Sequence, residues 1–232
     1  GLFGACSTMA EGLALAACFA ACGLADRAAA LTSSHFCTAE RQYRTPLTYG
    51  GKRTPTAQWT ATAAGAVLLT PTGRGPQVGA VCFGRVRDFD VTDINNMGAA
   101  MAPAAYDTLL RFFARSGRRP EDYDAIYTGD LGFVGSRLLL EILQSEGLPL
   151  QNHQDCGLLL YDRARQQVKA GGSGAGCSAA VLAAHILPGL AKGQLHRVLL
   201  VSTGALMSQT TFLQGESIPG IALLVELLAP GT

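Results

Sequence analysis

The strongest constraint on the fold is a pattern that occurs twice. GACSTMAEGLALAACFAACGLADRAAALTSS, beginning at Gly4, and GAGCSAAVLAAHILPGLAKGQLHRVLLVSTG, beginning at Gly174, share one plan. Each runs Cys-Ser, an apolar helix-forming run, a Gly-containing turn, an Arg, and an apolar strand ending in Ser or Thr. The spacings from Cys6 to Arg27 and from Cys177 to Arg197 differ by a single residue. A lone helix and strand cannot bury their apolar faces, so repetition of such a unit implies two related halves sharing a core.

The first helix is expected to start at Thr8, where Thr8 and Glu11 fit a capping box, and to end near Gly23; the strand follows at residues 28–34. In the second half, PAAYDTLLRFFARSG reads as an amphipathic helix, YDAIYTG as a buried strand, GSRLLLEILQSEG as a helix and CGLLLYD as a strand. This alternation predicts an α/β fold with mixed sheets covered by helices on both faces. Between the halves, GAVLLTP and PQVGAVCFGRVRDF read as a hairpin joined by TGRG, and DVTDINNMGAAM as a linker. The boundaries are residues 1–98 for an incomplete first half and 99–232 for the second. Repeat symmetry predicts roughly seventy further residues ahead of Gly1.

Cys6 lies just before a helix N-terminus, where free amides and the helix dipole stabilise a thiolate or a bound anion; the alternative is a small buried hydrophobe. The net charge of +1 excludes a general field for nucleic acid. The seven cysteines form no CxxC pair and have no His partner at metal spacing, so they read as reduced, and neither metal nor cofactor is expected. The apolar run at residues 12–25 falls short of the roughly 20 residues of a membrane span.

The strings GACSTMAEGLALA, SSHFCTAERQYRTPLTYGGKRTPTAQW, TDINNMGAAMAPAAYDTLL, PEDYDAIYTGDLGFVG, AGGSGAGCSAAVL, TGALMS and QGESIPGIA resemble the stage V sporulation protein AD family of spore-forming bacteria. The resemblance covers nearly the whole chain and implies a thiolase-like fold, similar to ketoacyl synthases. It also implies a role in uptake of dipicolinate, pyridine-2,6-dicarboxylate, into the developing spore, with or without calcium. The implied setting is the cytoplasmic side of the forespore, peripheral to the spore inner membrane and beside membrane proteins of the same complex, with homodimerisation through the first-half sheet. After PGIA, where the family usually has His, the chain has Leu223, and the tail ELLAPGT reads as irregular.

Related condensing enzymes need a Cys thiolate with His and Asn donors that polarise a thioester and stabilise the developing enolate. The corresponding places here hold Gly129 or Asp130, and Gly172 or Ser173. A binding protein without carbon–carbon bond-forming activity is therefore the leading expectation. A Cys6-dependent acyl transferase and a structural subunit of a channel complex are the rivals. The candidate ligand-binding set is Cys6, His35 at the carboxyl edge of the sheet, Arg41, Lys52, Arg53 and Gln58 from the loop after it, Asp130 at a strand end, and Glu216 in QGESIPG. Arg41, Arg44, Lys52 and Arg53 give that loop its positive charge, and Pro46, Gly50 and Gly51 its turns; guanidinium forks suit two carboxylates.

Overall fold

The computed structural model describes residues 1–37, 41, 43, 44 and 51–231. A short turn at Ala5–Ser7 leads into α1 (Thr8–Ala21), followed by β1 (Ala28–Ser34), β2 (Trp59–Thr60), β3 (Ala63–Leu69) and β4 (Gln77–Cys82). The second half contains α2 (Met97–Ser116), β5 (Ala125–Thr128), α3 (Gly132–Ser145), β6 (His153–Asp155), α4 (Cys156–Leu160) and α5 (Arg163–Gln166). It continues with β7 (Gly172–Ser173), α6 (Ala175–Val181), a π turn at Leu182–Ile186, α7 (Leu187–Ala191), β8 (Arg197–Ala205), α8 (Gln209–Leu213) and β9 (Gly220–Leu228). Among these residues, no helix is long and apolar enough to cross a membrane.

Both copies of the repeat form the expected helix and strand, α1 with β1 and the α6–α7 run with β8. A five-stranded mixed sheet in the order β4-β9-β8-β5-β6 forms the centre, with β5 parallel to β6 and β8, and β9 antiparallel to β8. Because strand side chains alternate, the continuous apolar run of β8 feeds two cores. Val198 and Leu200 pack with Met9 and Leu13 of α1 and Leu182 of the π turn, whereas Leu199 and Val201 pack with Leu109 and Phe112 of α2 and Leu139 of α3. The first half contributes an antiparallel pair, β1 with β3, against which α1 and α6 pack.

Five local expectations need correction. Thr8 and Glu11 form no capping box: the chain is already helical at Ser7, and the Thr8 hydroxyl accepts from Gly4 N (3.2 Å) and donates to Ala5 O (2.7 Å). A box needs its cap residue in extended backbone, which the preceding turn forbids. CGLLLYD is not a strand, because Asp155 accepts from Leu158 N (3.2 Å) and starts α4. The supposed hairpin is split between sheets. β3 pairs with β1, and β4 pairs with β9, where Val78 and Val81 reach one core and Ala80 and Cys82 the other. The linker ends at Asn96, since α2 begins at Met97. The tail is regular through Leu228, with Leu223 buried in the core on β9. Pro46 and Gly50 lie outside the described residues.

Candidate functional site

A cavity of about 290 Å³ opens where the turn before α1, the start of α2 and the end of β8 meet. Its wall combines apolar groups, including Phe3, Met97, Met101 and Met207, with the polar Cys6, Thr8, Thr32, Tyr43, Arg44 and Ser173. Cys6 sits in the Ala5–Ser7 turn, whose first residue has φ +49°. That turn lies flat on β8 because Gly204 has no side chain: a Cβ there would strike the Gly4 carbonyl.

Behind Cys6 is a buried polar network. Asp130 is 1% exposed, and its carboxyl accepts from Ser173 Oγ (2.7 Å), Thr203 Oγ1 (2.9 Å) and Gly174 N (3.1 Å), with the Cys6 thiol as a further donor. Burial pushes the Asp130 carboxyl above the usual range, and these hydrogen bonds oppose the rise. Cys6 Sγ lies 3.9 Å from Ser173 Oγ. Gln58 fixes the same corner from the loop side, donating to the carbonyls of Asp130 (2.6 Å) and Gly172 (3.1 Å).

A second buried carboxyl, Asp155, accepts from Thr128 Oγ1 (2.7 Å), Leu131 N (2.9 Å), Gly132 N (3.1 Å) and Leu158 N (3.2 Å). It thereby ties the end of β5 to the starts of α3 and α4. Burial, followed by the charge of Asp130, pushes it up to about 7, against its hydrogen bonds. Burial also pushes the Cys156 and Cys177 thiols well up, with the nearby carboxylates adding to the rise, so neither is a ready thiolate.

The opposite wall is cationic. Arg44 is 5% exposed, donating from Nε to Thr60 Oγ1 (2.6 Å) and from Nη1 to Met97 Sδ (3.8 Å). Arg53 lines an adjoining cleft with Arg44, Tyr43, Gln58 and Asn95. Its guanidinium sits 4.1 Å from the Trp59 ring centre and 5.5 Å from that of Phe36, and these two rings stack 5.0 Å apart. Burial and the neighbouring Arg44 charge lower its affinity for a proton.

Of the expected set, Cys6 lines the cavity, Asp130 and Gln58 brace its floor, and Arg53 stands in the adjoining cleft. His35, Arg41, Lys52 and Glu216 are exposed and outside the cavity lining. Ser217 donates to Asp88 (2.6 Å). The sequence reading set Arg44 among other loop bases, and nothing in the sequence marks it as the buried one. Among the described residues, no group of three His, Cys, Asp or Glu side chains is arranged to hold a metal.

A family model described as Stage V sporulation protein AD matches residues 1–228. The chain belongs to that family. It is 49% identical over 222 residues to the Stage V sporulation protein AD of Bacillus subtilis (strain 168), a match that covers 95% of this chain. The chain spans 65% of the length of that relative. Among solved structures, it resembles AbyA1, a tetronic acid condensing enzyme, at 16% identity and a TM-score of 0.60, over 98% of this chain and 67% of the other. It also resembles 3-oxoacyl-(acyl carrier protein) synthase III, FabH, from Pseudomonas aeruginosa PAO1 at 18% identity and a TM-score of 0.53, over 99% and 66% of the two chains. The fold is therefore thiolase-like, as the family strings implied. Of the alternatives left open by the sequence, Asp130 and Ser173 are the residues bonded to one another beside Cys6.

Proposed function

We propose that this family member binds dipicolinate in the cavity between Cys6 and Arg44 and forms no carbon–carbon bond. In this reading it serves dipicolinate uptake at the cytoplasmic side of the forespore inner membrane, beside membrane proteins of the same complex. The observation that carries the ligand reading is a guanidinium, Arg44, almost fully buried on the wall of a largely apolar cavity. A carboxylate entering there lies against a buried positive charge at low local dielectric, where electrostatic attraction is strong. The flat ring then packs among Met97, Met101 and Met207, whose flexible side chains fit irregular shapes. The second carboxylate faces the turn at the start of α1, the positive end of a 14-residue helix. The donors that surround the Asp130 carboxyl behind it, from Ser173, Thr203, Gly174 N and Cys6, partly offset its charge.

Calorimetric titration of the protein with dipicolinate and with benzoate, each with and without calcium, tests this reading. Dipicolinate is expected to bind at least about tenfold more tightly, and Arg44→Gln to weaken it by about tenfold or more, the scale of one hydrogen bond to a charged group. Equal affinity for the mono- and dicarboxylate overturns the reading. A second reading, Cys6 as an acyl acceptor, is favoured by its place on the cavity wall within reach of Asp130. An acyl adduct at Cys6 that turns over with an acyl-carrier substrate would put that reading first.

A further inference from the structure

The cleft beside the cavity contains a guanidinium whose donors the protein leaves unused. Arg53 and Arg44 line this cleft, and Tyr43, Arg44 and Met97 line the cavity as well, so Arg44 stands in the partition between the two spaces. Arg53 is half-buried and lies over the Trp59 ring, 4.1 Å from its centre. Stacking occupies the face of a guanidinium and leaves the N–H donors in its plane. Among the described residues, none of the Arg53 donors meets an acceptor and no carboxylate pairs with it. The charge set against Arg53 is that of Arg44, a like charge. Asp93, nearby in the chain, is exposed and accepts from Asn95 N (2.9 Å).

We propose that this cleft seats the head of a small carboxylate on Arg53, and that its occupant weakens dipicolinate binding in the cavity next door. The free volume of about 10 Å³ admits one water-sized group, against about 290 Å³ in the cavity, so a pyridine ring is excluded. One oxygen of a carboxylate enters and the rest stays at the open mouth. Arg53 supplies the hydrogen bonds, and the two adjacent positive charges supply the attraction. A planar fork suits the two oxygens of a carboxylate better than a single halide ion. A negative charge held there offsets the Arg44 charge that a ligand in the cavity meets. This last consequence rests on the dipicolinate reading, whereas the seat itself does not.

Replacing chloride by formate at constant ionic strength provides the test, with Trp59, the one tryptophan of the chain, as reporter. Its fluorescence should change saturably, because the carboxylate brings a charge to the guanidinium stacked on the indole. The melting temperature should rise with the formate concentration, as it does for any ligand that binds the native state alone. Arg53→Gln should lose most of that rise, and Arg74→Gln, which removes an exposed arginine after β3, should keep it. In calorimetry, saturating formate should weaken dipicolinate binding by about fivefold in the parent and by less than about twofold in Arg53→Gln. A flat or unsaturable fluorescence response overturns the seat, and so does the same melting response in Arg53→Gln as in the parent. Equal weakening of dipicolinate binding in the parent and in Arg53→Gln means that formate competes inside the cavity, and overturns the coupling. If dipicolinate binds under no condition, the ligand reading and the coupling fail together, and the fluorescence and melting results still decide the seat.

Discussion

Thr128 holds two titrating neighbours whose pH effects oppose one another. Its hydroxyl donates to Asp155 (2.7 Å) and lies 2.9 Å from His153 Nε2. Burial raises Asp155 to about 7 from an unfolded value of about 3.9, so the native state holds more protons between these values. Its contribution to stability is complete below about pH 4 and is lost as pH rises through about 7. Burial lowers His153 to about 4 from about 6.5, so its contribution is present above about pH 6.5 and is lost as pH falls through about 4. The two together flatten the stability profile over that window. His153→Gln should unmask the aspartate, so that the urea midpoint falls between about pH 4.5 and about pH 7 relative to the parent. Asp155→Asn should give a midpoint that rises with pH more steeply than the parent's. Parallel profiles for His153→Gln and the parent would refute the assignment. At this scale Cys6 was readable because a helix start carries a local signal, and Asp130 and Ser173 because family strings located them. The burial of Arg44 was not readable, since it depends on contacts with Thr60 and Met97, partners remote in sequence that no local period marks.

At the scale of elements, the repeat was legible because a helix-period run followed by a continuous apolar strand changes periodicity in a recognisable way. Both sheets were expected to be covered by helices on both faces, but Leu31 on β1 and Leu68 on β3 are exposed, so that pair is covered on one face only. CGLLLYD was misread because five apolar residues suit helix and strand equally, and the deciding Asp155 cap also answers to tertiary partners. The hairpin failed because TGRG specifies a turn but not which sheet each strand joins. The seam between the halves is tight where β3 meets α6: a Cβ at Gly65 would lie 2.5 Å from the Ala179 carbonyl oxygen. Gly65→Ala is therefore expected to destabilise the protein by about 1–3 kcal/mol, read as a lowered melting temperature. Gly73→Ala, in the turn where an added Cβ stands 3.5 Å from Thr70 Oγ1, should remain within about 0.5 kcal/mol of the parent. Equal effects at the two glycines would refute the close-packed seam.

Across the whole molecule, the central sheet is buried on both faces, whereas β1 and β3 present one open face. Amide exchange should follow this asymmetry, slowest in β5, β8 and β9 and faster in β1 and β3, because local opening is easiest where few apolar contacts must be broken. Uniform protection across both sheets would contradict it. The assembly of the cavity belongs to this scale too, since Cys6, Arg44, Met97 and Ser173 come from four separate stretches of chain that only the complete fold brings together. The central claim is that a small dicarboxylate occupies this space against Cys6. The most direct measurement is the rate at which an alkylating reagent labels each cysteine, followed by mass spectrometry with and without saturating dipicolinate. Cys6 should be protected, and the exposed Cys22 and Cys37 should react at unchanged rates. Benzoate at the same concentration should protect Cys6 far less. Labelling of Cys6 at the same rate with and without dipicolinate would contradict the account.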